Sequence, residues 1–589
     1  MIGNRVVNKD GPIGIGQRVL SLMSRRERRR SLIMLASILL NSVIELLGLA
    51  AIIPVIGLAV NPNFIHRYEW LHQGYLTSAS IGVRTEQQFL ILLCALLMAV
   101  FVVKVGSALV IALFQNKFSF EVAHRLSGVM WTYHFSQSLQ DMRASDSGLI
   151  MESIRTWPVA FANQFLVGSI RVLTEVVIII GIGIGLLAYN FIISIAVLAL
   201  LLVGVVMIRF LTRSKLQAYG QLEKRVAPKT NAMVGNATRG FLEIITFGAV
   251  VPVRDEYLRL TKSLFAVRMK SAVFFTLPSK TYELLAACAV CGAIILGLSV
   301  QVAGEEFFEL LSLLAISAYR IMPSMSRVNS AAMAMRKDLF VLEALEEAVC
   351  FDKAARLQVV DQEGIEAAEM AVSLCGIQLG YAGRESPVIQ GLDFHFRPGE
   401  ISAIVGASGC GKSTLANSIL GLHAPDFGQI MVDCGAGRLD LYADLGVDQW
   451  LSCVSYLSQA PFFFRGTVSE NFTFGNSEVN LNEAWINELV DKLGLRATLG
   501  DNPLTFGLNE GGQNLSGGQQ QRLALLRAIQ ADCPLLLLDE STSALDKDAR
   551  DLVFDVLLEE VSKGKLIILI THDLDLAQRC DHTLHLNQV

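Results

Sequence analysis

The stretch ISAIVGASGCGKSTLANSIL, residues 401–420, decides the fold of the C-terminal part of the chain. Its first residues form an apolar strand, and its last residues suit a helix. Between them the sequence fits the pattern GxxxxGK[ST], with glycines where backbone amides must wrap around phosphate groups. A strand, a glycine-rich loop and a helix N-terminus in this order predict a nucleotide-binding P-loop.

The side chains of this loop have distinct expected roles. Lys412 is expected to contact the β- and γ-phosphates, and Ser413 is expected to bind Mg²⁺. The thiol of Cys410 is interpreted as a bystander. The predicted nucleotide contacts of the loop are Gly406, Ser408, Gly409, Cys410, Gly411, Lys412, Ser413 and Thr414.

A second apolar strand ends in two carboxylates. The sequence PLLLLDE, residues 534–540, is apolar up to Asp539 and Glu540. An isolated Asp-Glu pair at a strand end is often only a turn, but this pair follows a P-loop at a plausible distance. We expect Asp539 to hold Mg²⁺, directly or through water, and Glu540 to polarise an attacking water.

The segment LSGGQ, residues 515–519, stands between these two motifs. Together the three motifs resemble the ATP-binding cassette (ABC) family, and further family motifs follow in the same order. The resemblance assigns the adenine-stacking aromatic to Tyr381, the Q-loop to Gln459, the signature to Ser516, Gly517, Gly518 and Gln519, the D-loop to residues 543–546, and the switch histidine to His572.

The resemblance also implies a mechanism and a partner. ATP and Mg²⁺ are the implied cofactors, with Gln459, Glu540 and His572 catalytic and with Ser413, Gln459 and Asp539 around the metal. In the family, Ser516 and Gly518 cap the γ-phosphate held by another subunit. Because the chain has one P-loop and one signature, both intact, the expected partner is a second identical subunit; a degenerate paralogue is disfavoured but stays open.

The N-terminal half of the chain is unusually apolar. Of 589 residues, 52% are hydrophobic and 17% charged, whereas soluble proteins carry about 25% charged residues. The deficit lies before residue 330, where we predict spans at 32–60, 88–115, 160–188, 190–212, 272–300 and 306–330. The net charge of −5 gives no sign of a nucleic-acid partner, and the ten cysteines are interpreted as reduced thiols.

The distribution of basic residues predicts the orientation. The sequence RRERRR at residues 25–30 and the segment 213–270 are strongly basic, whereas the opposite loops carry only Arg67 and Arg84. The positive-inside rule therefore places both termini in the cytosol. Directly before an apolar segment, the cluster at 25–30 is also expected to touch anionic lipid.

Several charges fall near mid-depth in the predicted spans. We expect structural pairing of Glu45 with Lys104 on consecutive helices, and of Arg171 with Glu175 at helical spacing. Arg320 has no obvious partner in sequence and is the expected substrate contact. The alternative is a structural pair with a carboxylate, for which Glu45, Glu175 and Glu283 are the candidates.

Together these patterns predict an α-helical six-span transmembrane domain followed by an α/β P-loop ATPase domain of the ABC type. The expected boundaries are a membrane domain at 1–345, a linker at 346–365 and a nucleotide-binding domain at 366–589. Six spans exclude the ABC proteins that act in translation or repair, and the membrane-first order resembles exporters.

Three patches resemble lipid-linked oligosaccharide flippases of the PglK type. They are the sequence from Glu45 to Pro54, Lys104 in the second span, and YRIMP at residues 319–323. The resemblance implies a homodimeric exporter or flippase in the bacterial inner membrane, with its ATPase domain in the cytosol, moving a lipid-linked oligosaccharide or a similar amphipathic lipid. The alternative is an exporter of a peptide, a drug or another lipid.

Overall fold

The computed structural model describes most of the chain in two compact units. The described residues are 12–60, 65, 68–78, 80, 82–83, 85–137, 141–142, 145–189, 191–299, 305–358, 370–380, 386–434, 437–476, 479–540 and 545–586. The first unit ends at Gln358, and the second takes in Val359–Val589.

The first unit is built from helices. They are α1 (Pro12–Ser21), α2 (Arg25–Ala50), α3 (Ile52–Val60), α4 (Glu69–Ser78), α5 (Glu86–Phe135), α6 (Ser147–Arg155), α7 (Trp157–Ala160), a π-helix (Phe161–Val167), α8 (Gly168–Tyr189), α9 (Phe191–Arg239), α10 (Phe241–Thr246), α11 (Val250–Ser299), α12 (Glu305–Lys337) and α13 (Leu339–Gln358). The described part of each apolar stretch predicted to span falls on these helices. Among the described residues, two helical stretches are apolar enough by length and composition to cross a membrane, Glu86–Phe135 and Ser147–Ile184.

Proline has different effects at different places in this unit. The first apolar stretch is split, because α2 ends at Ala50 and α3 begins at Ile52, so Pro54 lies in the first turn of a new helix, where its missing N–H costs nothing. By contrast, Pro228, Pro278 and Pro323 lie inside uninterrupted helices.

A π-helical segment precedes α8. It covers Phe161–Val167, within a stretch predicted as one regular span. Trp157, Phe161 and Phe165 recur every four residues and are buried in one cluster against α5 and α13. A wider turn suits this spacing, since a π-helix closes its hydrogen bonds one residue later than an α-helix does.

The end of the helical unit differs from the expected linker. The predicted linker covered 346–365, but α13 continues to Gln358. Its first half is packed into the helical core through Leu342, Leu345 and Ala348, so residues up to that helix end are structured rather than connecting chain.

The second unit is an α/β domain. Its strands are β1 (Ala371–Leu379), β2 (Ile389–Phe396), β3 (Ile401–Gly406), β4 (Phe427–Asp433), β5 (Arg438–Asp440), β6 (Val454–Leu457), β7 (Gly466–Thr467), β8 (Gly507–Leu508), β9 (Leu535–Asp539), β10 (Leu566–Ile570) and β11 (His582–Leu586). Its helices are α14 (Lys412–Ile419), α15 (Val447–Leu451), α16 (Val468–Thr473), α17 (Glu483–Lys492), α18 (Arg496–Leu499), α19 (Gly517–Gln530), α20 (Lys547–Ser562) and α21 (Leu574–Gln578), with 3-10 turns at Pro503–Thr505 and Glu510–Gly512.

A parallel sheet organises this domain. Its order is β11-β3-β10-β9-β6, and every neighbouring pair is parallel. A second sheet, β2-β1-β4-β5, is antiparallel. The strands β3, β9 and β10 are buried along nearly their whole length, as expected of parallel strands covered on both faces.

Alternate residues of the buried strands pack on opposite sides of the parallel sheet. Leu536 and Ile567 face a core formed with α17, α19 and α20, while Leu537 and Ile568 face a core formed with α14 and the antiparallel sheet. This period of two is the geometry of a strand. The signature helix α19 and the P-loop helix α14 therefore belong to different cores.

Candidate active site

The carboxyl ends of four parallel strands carry the predicted site residues. The P-loop follows β3, Gln459 follows β6, Glu540 follows β9, and His572 follows β10. In open parallel sheets this edge is where ligands bind. Residues that are far apart in sequence are thereby brought to one edge.

The P-loop backbone depends on its glycines. Gly409 and Gly411 have φ values of 82° and 104°, in the left-handed region that side chains disfavour. A Cβ on Gly411 would also lie 2.8 Å from Cγ1 of Val388. Ser408 is exposed next to them. The loop thus turns tightly into α14, as a backbone that wraps phosphate must.

The P-loop lysine lies across its own loop. The ammonium of Lys412 donates hydrogen bonds to the carbonyl oxygens of Gly406 at 2.7 Å and Ala407 at 3.1 Å. The side chain is only 7% exposed. The charge is therefore held at the place where the sequence pattern expects phosphate.

Of the remaining P-loop side chains, one is exposed to solvent and two are buried. Ser413 is exposed at the start of α14, so its hydroxyl is available to a metal ion. Thr414 and Cys410 are buried, and Cys410 packs into the core beneath the loop.

The three residues predicted to be catalytic meet at Glu540. The side-chain amide of Gln459 donates to Oε2 of Glu540 at 2.5 Å, and Nδ1 of His572 lies 3.7 Å from Oε1. The backbone N–H of Glu540 donates to the carbonyl of Ile570 at 2.9 Å, which fixes the carboxylate beside β10. Glu540 has a φ of 48°, so its backbone is held in an uncommon conformation for a residue with a side chain.

Asp539 is buried beside this cluster. Burial raises the pKa of its carboxyl above the usual range, and the neighbouring Glu540 raises it further, although Tyr456 and Lys412 oppose these effects. The hydroxyl of Tyr456 donates to Asp539 at 3.4 Å. Sequence reasoning missed Tyr456, and its position on β6, just before the Q-loop, was the available signal.

The oxygen donors at this edge suit Mg²⁺. Asp539 offers a carboxylate whose charge is costly to bury without a cation, Ser413 offers an exposed hydroxyl, and Gln459 offers an amide oxygen. Hard oxygen donors of this kind are the ligands that Mg²⁺ prefers. The residues present therefore fit the metal that the sequence predicted.

The signature segment forms a helix N-terminus. Ser516 caps α19: its hydroxyl accepts from the backbone N–H of Gln519, whose side chain accepts from the N–H of Ser516 in return at 2.8 Å. Ser516 and Gly517 are exposed, and Gly518 is partly exposed. Exposed amides at the start of a helix of this length favour an anion.

Two expected motifs fall partly outside the described residues. Tyr381 and residues 541–544 are among these, so the adenine platform and the first half of the D-loop lie outside the described residues. The D-loop aspartate, Asp546, is described, and its side chain accepts from the N–H of Ala549 at 2.9 Å to cap α20.

The charges in the helical unit follow the sequence-based expectation only in part: Glu45 faces Lys104 as expected, and it also faces Arg320. Arg320 has a partner after all: its Nη2 lies 2.5 Å from Oε1 of Glu45, and the expected contact from Lys104 to that same oxygen is longer, at 3.8 Å. Two cations therefore share one carboxylate. The Nε of Arg320 is buried without a hydrogen-bond partner among the described residues.

The expected pairing of Arg171 with Glu175 is wrong. Glu175 forms an ion pair and a bidentate hydrogen bond with Arg327 on α12 instead, because the packing of α8 against α12 places those side chains together. Glu283 pairs with Lys280 on an exposed surface. Sequence reasoning missed Arg327, although it lies two helical turns from Arg320 on the same helix.

One family model and several known proteins match parts of this chain. Residues 389–543 match the family model described as ABC transporter. An ATP-dependent lipid A-core flippase of Chromobacterium violaceum is 29% identical over 52% of this chain and 51% of its own length. A mycobactin import ATP-binding/permease protein of Mycobacterium bovis is 35% identical over 35% of each chain.

The fold comparison extends over nearly the whole chain. The structure of a bacterial Atm1-family ABC exporter with ATP bound superimposes with a TM-score of 0.76 and 18% identity, over 96% of this chain and 95% of that one. In sequence, by contrast, the chain spans 51% and 64% of the length of two lipid A-core flippase relatives.

The P-loop, the buried Asp539 and the signature helix on one parallel sheet define the second unit as an ABC-type ATPase domain. With the helical unit before it, the chain has the fold of a bacterial ABC exporter.

Proposed function

We propose that this chain is an ATP-hydrolysing exporter or flippase that works as a homodimer. It moves a lipid-linked oligosaccharide or a similar amphipathic lipid across the bacterial inner membrane, with the ATPase domain in the cytosol. The observation that carries the ATPase part is the meeting of Gln459 and His572 at the Glu540 carboxylate.

The hydrolytic step follows from this geometry. Glu540 accepts a hydrogen bond, and then the proton, from a water directed at the γ-phosphorus. The water oxygen bonds to phosphorus as the bond to the bridging oxygen breaks, which releases ADP and phosphate. Lys412 neutralises the phosphate oxygens, and bound Mg²⁺ would neutralise charge on the β- and γ-phosphates. His572 and Gln459 orient the Glu540 carboxylate through their contacts with its two oxygens.

Exposed apolar surface supports the membrane placement. Within the span predicted at 88–115, α5 leaves Leu96, Met98, Val102 and Leu113 between 60% and 72% exposed. Apolar faces of this length are unusual on soluble proteins and suit a hydrocarbon environment. Together with the basic segments, this supports six crossings and cytosolic termini.

The separate placement of the P-loop and the signature supports a dimer. We expect a mixture of Lys412→Ala and Ser516→Arg proteins to hydrolyse ATP roughly tenfold faster than either protein alone. In a mixed dimer with composite sites, one site carries both lesions and the other carries none. The measurement is ATPase activity after subunit exchange, with each pure variant as the control. Full activity in a purified monomer would contradict the proposal.

The charge balance inside the helices supports an anionic substrate. Arg320 and Lys104 face one carboxylate, Glu45, and Arg327 faces Glu175. These groups carry one more positive charge than negative, and a net charge at this depth is costly unless water or a ligand anion compensates it. A phosphate or pyrophosphate head group fits this charge and the planar guanidinium.

The relatives support two substrate classes. Proteins named lipid A-core flippase, from several bacteria, act on an amphipathic lipid by their names. A relative named as a multidrug transporter is 31% identical over 45% of the chain and favours the alternative, an exporter of a drug, a peptide or another lipid.

The experiment that separates these classes is ATPase stimulation in liposomes. We expect lipid-linked sugars with a pyrophosphate linkage to stimulate the purified protein most, and their uncharged analogues and apolar drugs to stimulate it least. The Glu540→Gln protein is the control for contaminating ATPase. Stimulation by drugs or peptides alone would overturn the lipid assignment while leaving the transport ATPase intact.

A further inference from the structure

The cytosolic end of α2 carries five arginines that divide into two groups. Arg28 donates from Nε to the carbonyl of Leu20 at 2.8 Å, and Arg30 pairs with Glu121 at 2.9 Å. The other three, Arg25, Arg26 and Arg29, are exposed. No hydrogen bond or ion pair joins these three to another residue in the part of the chain that the structure describes.

The same helix has one exposed apolar face. Leu32, Ile33, Leu40, Val43 and Leu47 are between 48% and 65% exposed. The opposite side is buried, through Met34, Ile38 and Ser42. At about 100° per residue, these two sets occupy opposite sides of α2.

The three unpaired arginines continue the exposed apolar face. Arg25, Arg29, Leu32 and Leu40 follow one another at helical spacing, so they lie on one side of the helix. Arg28 and Arg30 lie at the two edges of that side and are held by the partners given above. Arg29 lies about 4.5 Å along the axis from Leu32, and the helix from Leu32 to its end at Ala50 is about 27 Å long, close to the thickness of the hydrocarbon core.

We propose that Arg25, Arg26 and Arg29 form a binding site for the head groups of anionic phospholipids in the cytosolic leaflet. The proposal rests on the membrane placement proposed above. A lipid whose acyl chains lie along the apolar face places its phosphate beside these guanidinium groups, which bind phosphate in a bidentate manner. A soluble anion or an acidic protein would contact the arginines but would leave the apolar side chains uncovered.

The base of this site is held rigidly. Arg125 on α5 donates to both carboxylate oxygens of Glu27, at 2.7 and 2.9 Å, and to the carbonyl of Leu22 at 2.7 Å. Ser24 and Glu27 cap the start of α2 through reciprocal hydrogen bonds. The first turn of the helix, and with it the arginine positions, is therefore fixed before a lipid binds.

The test is lipid binding by the full-length protein in detergent, measured by native mass spectrometry during titration with phosphatidylglycerol or phosphatidylcholine. Each basic residue near a membrane surface contributes a factor of about five in affinity. We expect the triple variant Arg25→Gln, Arg26→Gln, Arg29→Gln to bind its tightest phosphatidylglycerol about 100-fold more weakly, with phosphatidylcholine binding unchanged.

The matched control replaces Arg239, Arg254 and Arg259 by Gln. These residues are exposed and lie about 20 Å or more along their helices from the predicted spans, beyond the Debye length of about 10 Å. Their loss should leave phosphatidylglycerol binding unchanged. Equal losses in both triple variants, or equal affinity of the native protein for both lipids, would overturn the proposal. If the Gln variant fails to fold, the triple Lys variant replaces it. An ammonium keeps the charge but lacks the planar fork, so we expect the Lys variant to bind phosphatidylglycerol more weakly than the native protein, and unchanged affinity would overturn the bidentate site. Because the readout is binding, it does not depend on ATPase or transport activity.

Discussion

Glu540→Gln is expected to bind ATP normally and to hydrolyse it about 100-fold more slowly or worse. The substitution keeps the size of the side chain and the backbone hydrogen bond to Ile570, but the amide cannot accept a proton from water. The contact with Gln459 at 2.5 Å becomes amide to amide. We therefore expect nucleotide affinity, measured by equilibrium binding, to stay at the native value while turnover, measured by phosphate release, falls.

Asp555→Asn is the matched control for this experiment. It makes the same change from carboxylate to amide, on an exposed position of α20, and we expect the native rate. Native turnover in the purified Glu540→Gln protein would remove Glu540 from the reaction. Loss of ATP binding together with turnover would show that the carboxylate holds the site together instead.

Arg320→Ala is expected to abolish flipping of a pyrophosphate-linked lipid while leaving basal ATPase activity largely intact. The guanidinium contacts Glu45 at 2.5 Å, yet Lys104 remains to face that carboxylate after the arginine is lost. Arg320→Lys should restore only part of the activity, because an ammonium lacks the planar fork that fits phosphate. Flipping in proteoliposomes and ATPase rate are measured on the same preparation.

A triple variant distinguishes a substrate contact from a structural ion pair. Removing one member of a buried ion pair typically costs about 3–5 kcal/mol, whereas removing all of its charges is far milder. Because Lys104 also faces Glu45, the variant replaces Glu45, Lys104 and Arg320 by Ala together. If Arg320 is only structural, this variant should recover assembly and flipping together; if Arg320 binds substrate, it should stay inactive in flipping. Lys280→Ala, which breaks the exposed pair with Glu283, is the control and should flip normally.

The motifs with local causes could be predicted from the sequence. The fold class and the resemblance to ABC exporters are confirmed. Both could be predicted because the P-loop and the signature are contiguous segments whose glycines and capping residues determine their own conformation. At Ser516 the spacing to Gln519 alone determines the capping box. The structure adds what no spacing could give, namely that Gln459 and His572 converge on Glu540 from separate strands.

The pairing of charges between helices could not be predicted in the same way. Which carboxylate meets Arg320 depends on how each helix is rotated and shifted against its neighbours, and those variables are set by packing over the whole helical unit. Spacing along one helix suggested Arg171 for Glu175, but the neighbour α12 supplied Arg327. The roles of these charges, and of the nucleotide residues, stay predictions for the experiments above.

The π-helix at Phe161–Val167 has the effect of inserting one residue into a regular α-helix. One extra residue in a helical turn shifts the phase of everything downstream by about 100°. The direction in which Glu175 projects from α8 is therefore determined by the π-helix. It could not be extrapolated from the helical spacing of Trp157 and the residues before it. Deleting one residue within Phe161–Val167 would restore a regular helix and turn Glu175 away from Arg327, so alignments that place gaps here would mark chains with a rewired charge network.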